Sequence, residues 1–255
     1  MLPGMTTHSD DHTLAAELAT AAGELLLRTR KEHAGIDPKQ LKDIGDRVSH
    51  DFLMAELASA RPDDAVLSEE GADDHARLSA ERVWIVDPLD GTREFSEAER
   101  DDWAVHVALW QGGELVAGAV GRPARGVTYS SSESEPPKGA AGDPLRLAVS
   151  RSRPPEFVTR LADHLGADLV EMGSAGVKAM SVLDGIADAY VHAGGQYEWD
   201  SAAPVAVARA HGLHTSRIDG SELVYNNENP YLPDLVVCRP EVADAVLEGI
   251  RAVED

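Results

Sequence analysis

The apolar patterning predicts an α/β protein built as two layered halves, and three observations predict it. The first half opens with two stretches of helical periodicity and continues as a meander of short apolar runs. The second half alternates strand-like runs with helical ones. Between them lies Ser131 to Pro144, a Ser-, Glu-, Pro- and Gly-rich stretch with almost nothing apolar. This sets the halves at residues 1–142 and 143–255, an α+β half with an antiparallel meander followed by an α/β half.

The elements follow in order. Thr13 to Lys31 reads as an amphipathic helix, with Leu14, Leu18, Ala21 and Leu25 at helical spacing and Gly35 and Pro38 marking its end. A second helix runs from Arg47 to Ala60 and stops before Pro62. Ala65-Val66-Leu67 and Val83-Trp84-Ile85-Val86 are short and β-branched, as buried strands are, and Pro88 is expected to stop the second ladder. Trp103 to Val120 reads as two antiparallel strands turned at Gly112-Gly113, and Gly126 to Ser130 as a third. In the second half, strands are expected over Leu145–Val149, Ala167–Met172 and Ala187–His192. Helices are expected over Pro154–Leu165, Ala175–Ile186 and Ser201–His211.

Composition narrows the function. Asp and Glu number 45 against 23 Lys and Arg, a formal charge of −22. Duplex binding needs clustered cations, so no nucleic acid polymer is expected as a partner. No apolar run reaches the roughly 18–20 residues that cross a bilayer, so no membrane partner is expected either. Met1 to Asp11 carries His8, Asp10 and Asp11 and no apolar stretch, unlike a signal peptide. The single cysteine, Cys238, allows no internal disulfide and points to a reduced, cytoplasmic setting. An anionic substrate would need cations at its site, from a metal or from a few placed Lys and Arg.

The chemistry centres on Asp87-Pro88-Leu89-Asp90-Gly91-Thr92. A buried strand ends there in two carboxylates three residues apart. Gly91 lets backbone approach a ligand, and amides at a following helix start would face an anion. Carboxylates at a sheet mouth suit hard cations such as magnesium, manganese or calcium. Alone, the run reads first as a strand-end turn, since Asp and Pro are common turn residues. Ser68-Glu69-Glu70 after the preceding strand and Trp199-Asp200 before an apolar helix shift that reading toward a three-sided carboxylate site. Asp200 is also a ready helix cap. His211 and His214 lack a third ligand, and Gly118, Gly121 and Gly126 have the wrong spacing for a dinucleotide fingerprint and read as strand bends.

Ser68-Glu69-Glu70, Asp87 to Thr92 and Trp199-Asp200-Ser201-Ala202-Ala203, in this order, resemble the inositol monophosphatase superfamily from about Thr13 to Cys238. Arg93-Glu94-Phe95, Arg100 to His106 and Gly194 to Asp200 resemble its CysQ-type branch, the 3′(2′),5′-bisphosphate nucleotidases, in the actinobacterial form. The resemblance implies a layered α-β-α-β-α sandwich of the sugar-phosphatase type. It implies magnesium, two or three ions per site, and metal ligation by Glu69, Asp87, Asp90, Asp200 and the Leu89 carbonyl. Thr92, with Glu69, would orient the attacking water, and Asp46 would pair with that threonine or support another metal. Glu70 stands behind these ligands. The Gly91 and Thr92 amides, Arg93, Ser174, Lys178 and Asp200 would touch the substrate, with Lys178 meeting a second phosphate.

Two of these residues keep plainer readings beside the implied ones. Lys178 also fits a surface helix position, and Arg93 a pair with Glu97. The implied substrate is adenosine 3′,5′-bisphosphate, hydrolysed at its 3′-phosphate in sulfur assimilation. Inositol 1-phosphate and fructose 1,6-bisphosphate are the alternatives on the same metal site. Lithium inhibition and a homodimer are implied likewise.

Overall fold

Strand residues alternate between two faces, and here that alternation assigns each side chain to one of three cores. The protein is described from a computed structural model that covers residues 10–152 and 154–254. Met1 to Ser9, where no leader segment was expected, lie outside the described residues. In β2 (Arg82–Asp90), Trp84 and Val86 point to one core while Val83 and Ile85 point to the next. In β8 (Ala189–Ala193) and β10 (Asp234–Cys238) the same rule sends Val191, Val236 and Cys238 outward and Tyr190, Leu235 and Val237 inward.

The outcome is five layers, α-β-α-β-α. The outer layer is α1 (Asp11–Glu32) and α2 (Pro38–Ala60). Beneath it lies a sheet in the order β1-β2-β3-β4-β5, from β1 (Ala65–Ser68), β2, β3 (Ala104–Gln111), β4 (Glu114–Arg122) and β5 (Val127–Ser130). Only β1 and β2 run parallel in it. The middle layer is α5 (Ala175–Leu183) and α6 (Glu198–Ala210). The second sheet has the order β7-β6-β8-β10-β9, with β6 (Arg146–Ser150), β7 (Asp168–Met172) and β9 (His214–Ser216). Its outer face is covered by α4 (Glu156–Leu165) and α7 (Ala243–Glu254). This mixed α/β architecture, with seven α-helices and two sheets among the described residues, is the layered sandwich expected above.

Several boundaries differ from expectation, each for a local reason. Helix α2 starts nine residues earlier than its periodicity suggested. Pro38 sits at its first position, where no amide is needed, and Asp37 caps it by accepting from the Lys39 and Gln40 amides. Pro88 does not end the β2 ladder. The pairing shifts between Asp87↔His106 and Asp90↔Ala104, and Pro88 falls inside that bulge. Gly118 and Gly121 are approach points, not bends. A Cβ at Gly118 would lie 2.5 Å from the Ala206 Cβ of α6, and one at Gly121 2.9 Å from the Ala19 carbonyl oxygen of α1. The periodicity after Gly212 did not mark β9, β10 or α7. No described helix is long and apolar enough to cross a membrane.

Candidate active site

The β2 bulge puts Asp87 and Asp90 on one side of a strand end, and both are buried. The Asp87 Oδ1 accepts from the Leu89 amide at 3.0 Å, which folds the turn on itself. Ser49 of α2 donates to the Pro88 carbonyl at 2.7 Å. Gly91 then takes a left-handed conformation, φ 84°, and the short helix α3 (Thr92–Ser96) begins. A Cβ at Gly91 would press within 3.2–3.3 Å of Ser174, Asp102 and Trp103, so glycine is required by both conformation and space. The Thr92 hydroxyl donates to the Leu89 carbonyl at 3.3 Å. Gly45 lets α2 close on this turn, since a Cβ there would meet Phe95 at 2.7 Å and Leu89 at 3.0 Å.

Two further carboxylates come from other elements. Glu69 follows β1, its amide reaching the Val86 carbonyl at 3.4 Å. Helix α6 starts at Glu198, three residues before the expected Ser201, so Asp200 is its third residue and not its N-cap; its carboxylate reaches back to accept from the Tyr197 amide at 2.7 Å. The electrostatics follow from the crowding. Burial, then the Glu69 and Asp90 charges, pushes Asp87 well above the ordinary carboxylate range. Burial and the Asp90 charge raise Asp200 to about 6. Glu69 is exposed at the rim as a whole residue, yet desolvation of its carboxyl and the Asp200 charge raise it to about 7. Its carboxyl hydrogen-bonds that of Asp87. Carboxyls forced together in this way call for a divalent cation between them.

Asp90 behaves oppositely. Burial would raise it, but His106, Lys178 and the Ser174 hydroxyl outweigh burial and lower it. Its Oδ2 accepts from the Ser174 hydroxyl and from the Gly176 amide at 2.8 Å, at the start of α5. His106, fully buried on β3, brings Nε2 within 3.2 Å of the same oxygen, while its Nδ1 lies 3.1 Å from the Trp199 carbonyl. Donor atoms of Asp87, Asp90 and His106 lie within 4.8 Å of one another. His106 ends the resembling stretch Arg100 to His106, and the resemblance implies no role for it. No sequence signal marks it, because its partners are set by the β2–β3 register and by α6.

Other expected residues fall less centrally. Asp46 lines an acidic cavity of about 480 Å³ with Asp43, Arg47, His50, Asp51 and Glu70. Burial, Glu70 and Asp43 raise it to about 7. The Thr92 hydroxyl bonds the Leu89 carbonyl, and no Asp46–Thr92 bond occurs among the described residues. Arg93 is exposed and reaches Glu97 at 3.3 Å, the plainer of its two readings. Ser174 is turned toward Asp90 and caps α5 through the Val177 amide. Lys178 is buried, not on a surface. Its amine donates to the Ser174 carbonyl at 2.8 Å and the Gly173 carbonyl at 3.3 Å and lies over the Tyr190 ring, so it is not presented as a free cation for a second phosphate.

The chain has known relatives in sequence and fold. The chain is 52% identical to the 3′-phosphoadenosine 5′-phosphate phosphatase of Mycobacterium leprae, over 95% of this chain and 94% of that protein. It is 30% identical to the 3′(2′),5′-bisphosphate nucleotidase CysQ of Escherichia coli, over 85% and 94% of the two chains. The crystal structure of CysQ from Bacteroides thetaiotaomicron superposes with a TM-score of 0.79 at 29% identity, covering 92% of this chain and 99% of that one. The inositol monophosphatase family model matches residues 9–251. With the carboxylate cluster at the end of β2 and a family match over nearly its whole length, the chain belongs to the inositol monophosphatase family.

Proposed function

We propose that this chain is a magnesium-dependent phosphomonoesterase that removes the 3′-phosphate of adenosine 3′,5′-bisphosphate, giving AMP and phosphate. The observation that carries it is the convergence of four carboxylates from three elements beside the amides that open α3. The substrate draws its support from the relative at 52% identity that is named for this activity. Glu69, Asp87, Asp90, Asp200 and the Leu89 carbonyl would hold the metal. The donor set fits a hard divalent ion, being all oxygen with Glu69, Asp87 and Asp200 each raised by neighbouring acids. Asp46, beside Glu70, would support an outer ion, two or three binding in all. Bound there, magnesium supplies neutralisation of phosphate charge and a lowered pKa for water.

The remaining work belongs to the chain. The Gly91 and Thr92 amides receive phosphate oxygens at the start of α3. The Thr92 hydroxyl and Glu69 orient the attacking water. Its oxygen bonds phosphorus as the bond from phosphorus to the ribose 3′ oxygen breaks; of the two water protons, one ends on that leaving oxygen and the other stays on the released phosphate. Arg93, exposed at the α3 start, steers the anionic substrate. Cys238, the one cysteine and buried, supports a cytoplasmic setting.

A phosphate-release panel tests the reading. Adenosine 3′,5′-bisphosphate should exceed inositol 1-phosphate and fructose 1,6-bisphosphate by about tenfold or more in kcat/KM. Release should vanish with EDTA, return with magnesium and fall with lithium. No magnesium-dependent release from the bisphosphate, where another ester is cleaved well, sinks it.

A further inference from the structure

Beside Asp200 the molecule carries an aromatic cluster that the metal chemistry does not use. Tyr197 immediately precedes α6, and its amide is the group bonded to the Asp200 carboxylate. Its ring stacks on Trp199 with centroids 4.8 Å apart and planes 6° from parallel. Tyr231 meets the Tyr197 ring edge-on at 5.7 Å, its hydroxyl accepting from the Gly195 amide at 3.2 Å. The backbones of residues 197 and 231 pair as an isolated bridge. Trp199 is half-buried against the middle core, yet Tyr197 and Tyr231 stay 41% and 44% exposed.

Three aromatic rings ordered by each other, two of them left open to solvent, do little for stability alone. Beyond Tyr231 opens a cavity of about 440 Å³, lined also by Val224, Leu232, Asn227 and Asn229 and by two acids, Glu222 and Glu228. The cation that borders it, Arg217, is already paired with Asp234. An aromatic edge beside a cavity bordered by Glu222 and Glu228 suits the face of an uncharged aromatic heterocycle. It does not suit a phosphate, which the two acids would repel and which would want free cations.

We propose that Tyr197, backed by Trp199 and flanked by Tyr231, is the platform on which the purine base of the substrate stacks. This rests on the nucleotide reading above and adds to it the part of the site that recognises the base. The leaving nucleoside spans from the carboxylates, past the Tyr197 backbone that braces Asp200, to the aromatic rings. Affinity for the substrate then comes from two ends: phosphate at α3, base at Tyr197. It also explains how a site of this net charge, with Lys178 folded inward, gains hold of a nucleotide.

Steady-state kinetics of Tyr197→Leu and Tyr197→Phe decide it, with AMP and inorganic phosphate as competing inhibitors of the holoenzyme. The leucine variant should raise KM for adenosine 3′,5′-bisphosphate and Ki for AMP by about 5- to 150-fold, the range that base–aromatic stacking gives per base. Its kcat and its inhibition by inorganic phosphate should stay near wild type, and the phenylalanine variant should restore both nucleotide constants. Unchanged KM and AMP inhibition in Tyr197→Leu overturns the proposal. So does an equal weakening of phosphate inhibition, which would make the ring a mere support for Asp200. The wild-type arm separates this from the broader reading: preference for inositol 1-phosphate over the bisphosphate refutes the substrate itself, whatever Tyr197→Leu does.

Discussion

Asp90 owes its orientation to residues 84 to 86 positions further along the chain. Its Oδ2 is held by Ser174 and Gly176, with His106 close by. Ser174 does this at φ 46°, a positive value that a non-glycine residue rarely adopts. Substitution separates the strain from the bond. Ser174→Ala keeps the strained backbone and loses the hydroxyl; Ser174→Gly loses the hydroxyl and relaxes the backbone. The glycine variant should be the more stable by about 1–2 kcal/mol, from relieved strain and the milder loss of an N-cap. Both should lose about tenfold in kcat as Asp90 loses its partner. Urea unfolding and kinetics check both halves, and equal stability of the two variants would count against strain. The acids themselves were legible, because strand-end carboxylates and a helix-start Asp have sequence signatures. Their keepers were not. His106 is chosen by strand register, and Ser174 and Gly176 by where α5 docks. Lys178 was misplaced because its amine folds back on the turn that opens its own helix.

At the scale of elements, the site depends on how closely α6 approaches the first sheet. Small residues make that approach: Ala104 and Ala108 on β3, Gly118 on β4, and Ala202, Ala203 and Ala206 on α6. The strand β4 was legible from its alternation and turn, but its glycines looked like bends, since sequence does not say what lies above a strand. Gly118→Val should force α6 outward, the added Cβ starting 2.5 Å from that of Ala206. Overpacking of this kind costs about 1–3 kcal/mol. The helix carries Asp200 in its first turn, so the displacement should also weaken magnesium activation while leaving the Glu69 and Asp87 side of the site in place. A magnesium titration of activity beside a thermal melt tests this. A variant that loses stability but keeps the wild-type magnesium midpoint would uncouple α6 packing from the site.

For the molecule as a whole, the boundary read at residues 142 and 143 concerns chain order more than energetics. One core belongs to α1, α2 and the outer face of the first sheet, and another to α4, α7 and the outer face of the second. The middle core takes Leu67, Val83 and Ile85 from one sheet, Ala148, Tyr190 and Val237 from the other, and the apolar faces of α5 and α6 between them. Residues 1–142 alone would leave the inner face of the first sheet bare, and burial of that face is a main source of stability. The full chain should therefore unfold in urea as one unit, with tryptophan fluorescence and far-ultraviolet circular dichroism giving one midpoint. Trp84 and Trp103 sit in the outer core of the first half, and far-ultraviolet dichroism reports α4 and α7 as well, so separate melting of the halves would split the two signals. Magnesium adds a second check, because its proposed ligands come from both sides, Glu69, Asp87 and Asp90 from one and Asp200 from the other. At about 100 times its dissociation constant it should stabilise the fold by about 2.7 kcal/mol, moving both midpoints together, and EDTA should reverse the shift. A magnesium shift confined to one probe would mean that the halves respond separately and that Asp200 does not share the ion.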